Sequence, residues 1–98
     1  MEKDTKITDM TFRKFKGGEI IALMPYEVSN RKGDISSYMH VGQHGSADYN
    51  HVVSTTKLAT PFEFAELLRE LEGIGYNVNI ISKRSYKKYL TNYYKVRA

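Results

Sequence analysis

Five consecutive apolar residues, Ile20-Ile21-Ala22-Leu23-Met24, cannot sit at the rim of a fold. With Pro25 they form the longest apolar run in the chain, far too short to span a bilayer. In a strand, successive side chains point to opposite faces. Here both sets are apolar, so the segment reads as a central strand covered on both sides. Lys16-Gly17-Gly18-Glu19 precedes it. A Gly-Gly pair takes positive φ without steric cost and predicts a tight hairpin, with Met10–Phe15 as the first strand and Glu19–Met24 as its return. Pro25 is expected to end the return strand, since it cannot donate to the ladder.

A polar loop over residues 27–34, turning at Asn30-Arg31-Lys32-Gly33, leads to a third strand, Ile35–Gln43. Ile35, Ser37, Met39 and Val41 fall on one face and Ser36, Tyr38, His40 and Gly42 on the other, which predicts one buried face. Residues 45–58 read as an irregular connection. The clearest helix starts at Thr60-Pro61-Phe62-Glu63, with threonine as N-cap, proline at the first helical position and glutamate placed to close a capping box. Phe64, Leu68 and Leu71, widened by Ala65 and Leu67, make its apolar stripe, and Glu63, Glu66 and Glu70 mark the wet side. Gly75 is its stop, bringing Leu71 and Tyr76 together in a Schellman motif. A last strand, Asn77–Ser82, buries Val78 and Ile80. The expected fold is α+β, a small antiparallel-rich β-β-β-α-β sheet packed on one capped helix in two or three layers, plus a C-terminal helix. Residues 1–9 are expected to be disordered, 10–82 to form a single domain, and 83–98 to form a basic, tyrosine-rich helical extension capped by Ser85.

Charge is distributed unevenly. Residues 1–82 hold nine Lys and Arg against eleven acids, whereas residues 83–98 hold six and no acid, together the net +4 of the chain. Tyr86, Tyr89, Leu90 and Tyr93 recur at helical spacing in that extension, with Tyr94 and Val96 nearby. Arg84, Lys87, Lys88, Lys95 and Arg97 interleaved with Tyr86, Tyr89, Tyr93 and Tyr94 suit an anionic partner, because cations release counterions at phosphates and tyrosines stack on bases. The competing reading is that the tyrosine stripe packs the helix onto the domain or onto a second copy.

Several chemistries are excluded or disfavoured. No cysteine is present, so disulfides, thiolate nucleophiles and cysteine zinc sites are ruled out. His40 and His44 share a face if both lie on one strand, but only Asp48 is near enough to add a ligand, so no metal is expected. His44-Gly45-Ser46-Ala47-Asp48 contains the three residue types of a hydrolase triad, yet consecutive residues cannot easily adopt that geometry. No phosphate-cradling loop occurs. The protein is therefore read as a binding protein rather than an enzyme, without a cofactor. The polar N-terminal segment and the short apolar runs point to the cytoplasm and to no membrane contact. Tyr38, His40, Gln43, His44 and Ser46, between glycines that let a ligand approach the backbone, form a candidate polar recognition site. A sheet edge held by its own hydrogen bonds is the alternative.

The segments Thr11-Phe12-Arg13-Lys14-Phe15-Lys16-Gly17-Gly18-Glu19-Ile20-Ile21-Ala22-Leu23-Met24-Pro25, Ser37-Tyr38-Met39-His40-Val41-Gly42-Gln43-His44-Gly45, Ala59-Thr60-Pro61 and Ile74-Gly75-Tyr76 resemble a family of short proteins of bacteriophages, mobile elements and their bacterial hosts. The resemblance covers about residues 10–82 and is silent about chemistry. It implies a compact α+β fold, a homodimer and a phage setting, while residues 83–98 extend beyond many relatives. The expected function is that of an accessory protein antagonising host defence by sequestering or blocking an anionic partner: a nucleotide signal, a nucleic acid or a defence protein. A nucleic-acid-binding module driven by the tail, and an assembly protein whose tail oligomerises, are the alternatives.

Overall fold

The computed structural model describes residues 6–40 and 42–97, the side chains of Val96 and Arg97 excepted. Expectations resting on residues 1–5, on Val41 and on the Arg97 side chain lie outside the described residues. The elements are β1 (Ile7–Lys14), β2 (Ile20–Val28), β3 (Ile35–Met39), β4 (Gln43–Ala47), α1 (Tyr49–Thr55), β5 (Lys57–Leu58), α2 (Pro61–Ile74), β6 (Asn77–Ile80) and α3 (Tyr86–Arg97). The fold is α+β. Its sheet runs β4-β3-β2-β1, and the outer edge of β1 is shared between β5 and β6. The carbonyls of Met10 and Phe12, two residues apart, point to that same edge. They accept from the Ile81 and Ala59 N–H groups at 2.8 and 2.9 Å. The β1–β6 pair is parallel and all others are antiparallel.

The doubly apolar β2 is covered on both faces, which makes three layers. Ala22 and Met24, with Met10, Phe12 and Tyr38, pack against Phe64, Leu67 and Leu71 of α2. Ile21 and Leu23, with Ile35, pack against Tyr49 and Val52 of α1 and Tyr89 of α3. The first core is anchored by stacked Phe12 and Phe64 rings, 4.4 Å between centroids.

α2 begins and ends as its sequence dictates. The Thr60 hydroxyl accepts from the Glu63 N–H, and the Glu63 carboxylate accepts from the Thr60 N–H, closing the capping box. Gly75 ends it at φ 123°, with its own N–H and that of Tyr76 both donating to the Leu71 carbonyl. The apolar stripe is centred on Phe64, Leu67 and Leu71, with Leu68 half-buried. Glu70 is half-buried too and takes part in a hydrogen-bond network, so it does not belong to the wet side.

Elsewhere the structure corrects the sequence reading. Ile7–Asp9 are not disordered but form the start of β1, paired with Asn77–Asn79. β2 does not stop at Pro25. It runs to Val28, and its register with β3 shifts between Met24 and Val28, an irregular stretch in which a missing N–H is tolerated. Ile35–Gln43 is not one strand: the chain turns at Gly42 (φ 75°) and returns as β4, pairing Tyr38 with His44. Both faces of β3 are buried, with Ile35 0% and Tyr38 1% exposed, because α2 covers Tyr38 on one side while α1 and α3 cover Ile35 on the other. Residues 45–58 are not irregular, since they hold the rest of β4, α1 and β5, and the Asp48 side chain caps α1 by accepting from the His51 N–H. Ile80, at the end of edge strand β6, is 48% exposed rather than buried.

Lys14 on β1 reaches Glu63 on α2 at 2.5 Å, tying the helix start to the sheet. This hydrogen bond, with that from the Thr60 N–H, lowers the Glu63 pKa from 4.5 to about 2. A folded-state pKa below the unfolded one gives stability that is complete above pH 4.5 and lost as pH falls toward about 2. Carboxyl NMR titration should find Glu63 titrating near that lower value, and Lys14→Ala should move it upward. An unmoved midpoint in the variant would mean that the ammonium is not the cause.

Candidate functional site

The β3–β4 hairpin carries the expected recognition residues, but they do not converge on one site. Tyr38 is in the core, where its hydroxyl donates to Glu70 Oε1 at 2.6 Å and accepts from the Gly42 N–H at 2.9 Å. The hydrogen bond to Glu70, together with burial, raises the Tyr38 pKa above the ordinary tyrosine value. His40 lies in the turn, its Nδ1 2.7 Å from Glu70 Oε2, with 76% of its side chain exposed. His44 sets its ring edge on Tyr38 at 4.6 Å and places Nε2 3.1 Å from the Tyr76 hydroxyl. Gln43 pairs with Met39 and faces the other side of the sheet from His44. Ser46 accepts from the Ser29 hydroxyl at 2.8 Å.

His40 and His44 therefore do not share a strand face, because one belongs to the turn and the other to β4. Among the described residues no group of three or more His, Asp and Glu could hold a metal ion. Ser46 bonds Ser29 and Asp48 caps α1, so the triad-like residues His44, Ser46 and Asp48 are spent on separate tasks. The Glu70 carboxylate beside His40 disfavours an anion there. Chemically, the hairpin is a hydrogen-bonded brace between β3 and α2.

The extension is α3, and it is part of the fold. Ser85 caps it by accepting from the Lys88 N–H at 3.3 Å, while its own N–H donates to the Tyr26 hydroxyl at 2.7 Å. Tyr89 is 8% exposed and donates its hydroxyl to the Gly33 carbonyl at 2.7 Å. Lys88 bonds Asp9 at 3.1 Å and lies 4.4 Å above the Tyr26 ring. Burial pushes the Asp9 carboxyl up, but hydrogen bonds from Asn79 and Lys88 outweigh this and hold it below the ordinary value. Arg84 is 9% exposed, its guanidinium sandwiched 4.1 Å from the Tyr49 ring and 3.9 Å from the Tyr89 ring.

The expected anion-binding set is thus divided. Arg84, Lys88, Tyr89 and Tyr93 face inward or have partners, with Tyr93 stacked on Tyr89. Lys87, Lys95, Tyr86 and Tyr94 are exposed, as are Lys83 and, in the loop that touches α3, Arg31 and Lys32. None of these five cations has an ion-pair partner among the described residues. Lys87 and Lys95 lie two turns apart on one face of α3, ~12 Å along its axis.

Sequence reading missed a second feature on this side. α1 and the start of α3 leave a cleft of about 460 Å³ whose lining includes Arg13, Tyr49, Asn50, Lys83, Arg84 and Tyr86. Arg13 is 9% exposed and bonds the Thr56 hydroxyl and the Val53 and Thr56 carbonyls at 2.7 to 3.0 Å. One signal was available: Arg13 follows Phe12 in a strand and so points to the opposite face, the one that Ile21 shares.

No family model matches the chain, and neither the curated proteins nor the solved structures contain a match to it. No helix among the described residues is long and apolar enough to cross a membrane.

Gly33 permits the docking of α3. It sits at φ +94°, and a Cβ there would collide with the Tyr89 hydroxyl and approach the Tyr93 ring to 3.2 Å. Gly33→Ala should cost about 1–3 kcal/mol in urea unfolding through backbone strain and clash together. Unchanged stability would show that α3 does not depend on this contact.

Proposed function

We propose that the protein is a non-catalytic accessory protein that holds an anionic partner on its α3 face, with single-stranded nucleic acid the partner that this face suits best. The observation that carries the reading is a group of exposed cations without acidic partners among the described residues: Lys83, Lys87 and Lys95 on and just before α3, with Arg31 and Lys32 in the loop that Tyr89 contacts. Exposed Tyr86 and Tyr94, 61% and 60%, supply ring faces among them. The resemblance to phage and mobile-element proteins supports antagonism of host defence as the setting, in the host cytoplasm.

Removing residues 83–98 is a poor test, because Tyr89 belongs to the core and its loss would unfold the domain. Charge reversal on the outer face avoids that problem. Labelled oligothymidylate should bind with an affinity that falls steeply with salt, a log–log slope of about −2 for roughly three neutralised phosphates. Lys87→Glu with Lys95→Glu should weaken it about tenfold or more and flatten the slope. Salt-independent binding, or variants that bind like the parent, would sink the reading.

Self-association is a second reading, favoured by Leu58 and Ile80, each about half exposed beside an apolar groove at the open sheet edge. Sedimentation over a range of concentrations should show a dimer that Ile80→Lys dissociates. A monomer throughout removes this reading.

A further inference from the structure

We infer that the cleft between α1 and the start of α3 is a binding site for a phosphate group carried by a flat ring, as in a mononucleotide. The inference rests on the reading that the protein holds an anion, and it adds an open cleft to the cationic face.

Arg13 and Arg84 are each 9% exposed and both line the cleft. Among the described residues, no Asp or Glu lines it with them. Arginine stays protonated under all ordinary conditions, so its charge cannot be relieved by losing a proton. Arg13 is offset only by neutral oxygens of Thr56 and Val53. Arg84 is offset by the faces of Tyr49 and Tyr89, and its Nη1 is shielded from water without a hydrogen-bond partner. Buried charge without a counter-charge is unfavourable, and an anion in the cleft offsets it through space, without needing contact to the shielded Nη1.

The rest of the lining selects what the phosphate is attached to. Lys83 is exposed at the mouth and adds a point charge, while the Asn50 side chain supplies an amide that both donates and accepts. Tyr86 is 61% exposed, and Val53 and Leu58 add apolar wall beside Ser82. An aromatic face next to cationic donors is the arrangement that stacks a base while holding its phosphate. The volume, about 460 Å³, lies within the range of small-ligand pockets.

The test is an amide NMR titration of the full chain with AMP, adenosine and inorganic phosphate. AMP should shift the Asn50, Lys83 and Tyr86 amides saturably, with adenosine and phosphate each binding about tenfold more weakly or worse. Tyr86→Ala and Lys83→Gln alter exposed residues. Each should weaken AMP about fivefold while leaving the rest of the spectrum in place. The inference is overturned by any of three results: no saturable shift at these amides with millimolar AMP, adenosine or phosphate alone binding as tightly, or shifts that map away from the cleft. If oligothymidylate binds in a salt-dependent way and AMP does not, the cleft assignment alone fails. If neither binds, the anion reading fails with it.

Discussion

Ile21 and Leu23 leave one face of β2 while Ala22 and Met24 leave the other, and all four are within 5% of complete burial. A strand of this kind needs apolar cover on both sides, and a chain of 98 residues has few elements to supply it. α2 closes one side with a well-capped amphipathic helix. The other side is closed by the short α1 and by α3. The last helix is therefore part of the domain, because without Tyr89 and its neighbours the Ile21 and Leu23 face would meet water.

That duty decides how the basic tail can act. A helix that must bury Tyr89, half-bury Tyr93 and cover the adjoining Arg84 cannot present all its cations outward. Arg84 lies between tyrosine rings, and Lys88 is held by Asp9 and Tyr26. Lys83, Lys87 and Lys95 remain for solvent and partners. The stacked tyrosines, with Tyr86, Tyr89 and Tyr93 at centroid spacings of 5.9 and 6.0 Å, combine apolar area with polar tips that find backbone partners such as the Gly33 carbonyl. Packing and outward-facing charge are thus divided between two faces of one helix.

The histidine hairpin shows the opposite outcome. Its residues have the composition of a recognition site, yet Glu70 binds both Tyr38 and His40, so their hydrogen bonds serve the junction of β3 with α2. The hairpin and the α3 face lie on opposite sides of the sheet, and a single small ligand cannot bridge them.

Local chemistry was legible in the residues alone wherever one segment settles its own conformation. The Thr60 capping box, the Gly75 stop, the Gly17-Gly18 turn and the two-faced strand at Ile20–Met24 each depend on neighbours within a few positions, where steric and hydrogen-bond rules act directly. The α+β class and the helical C-terminal segment follow from the same rules. Only the folded arrangement could show that Ile7–Asp9 pair with a strand seventy residues away, that Gly42 splits the histidine segment into a hairpin, or that Glu70 turns inward. The cleft belongs to this second group. Arg13 and Arg84 are 71 positions apart by their numbers and line one cleft only because α1 and α3 pack on the same face of the sheet. Long-range proximity has no local steric signature, and a charge reveals that it lacks a partner only once its surroundings are in place.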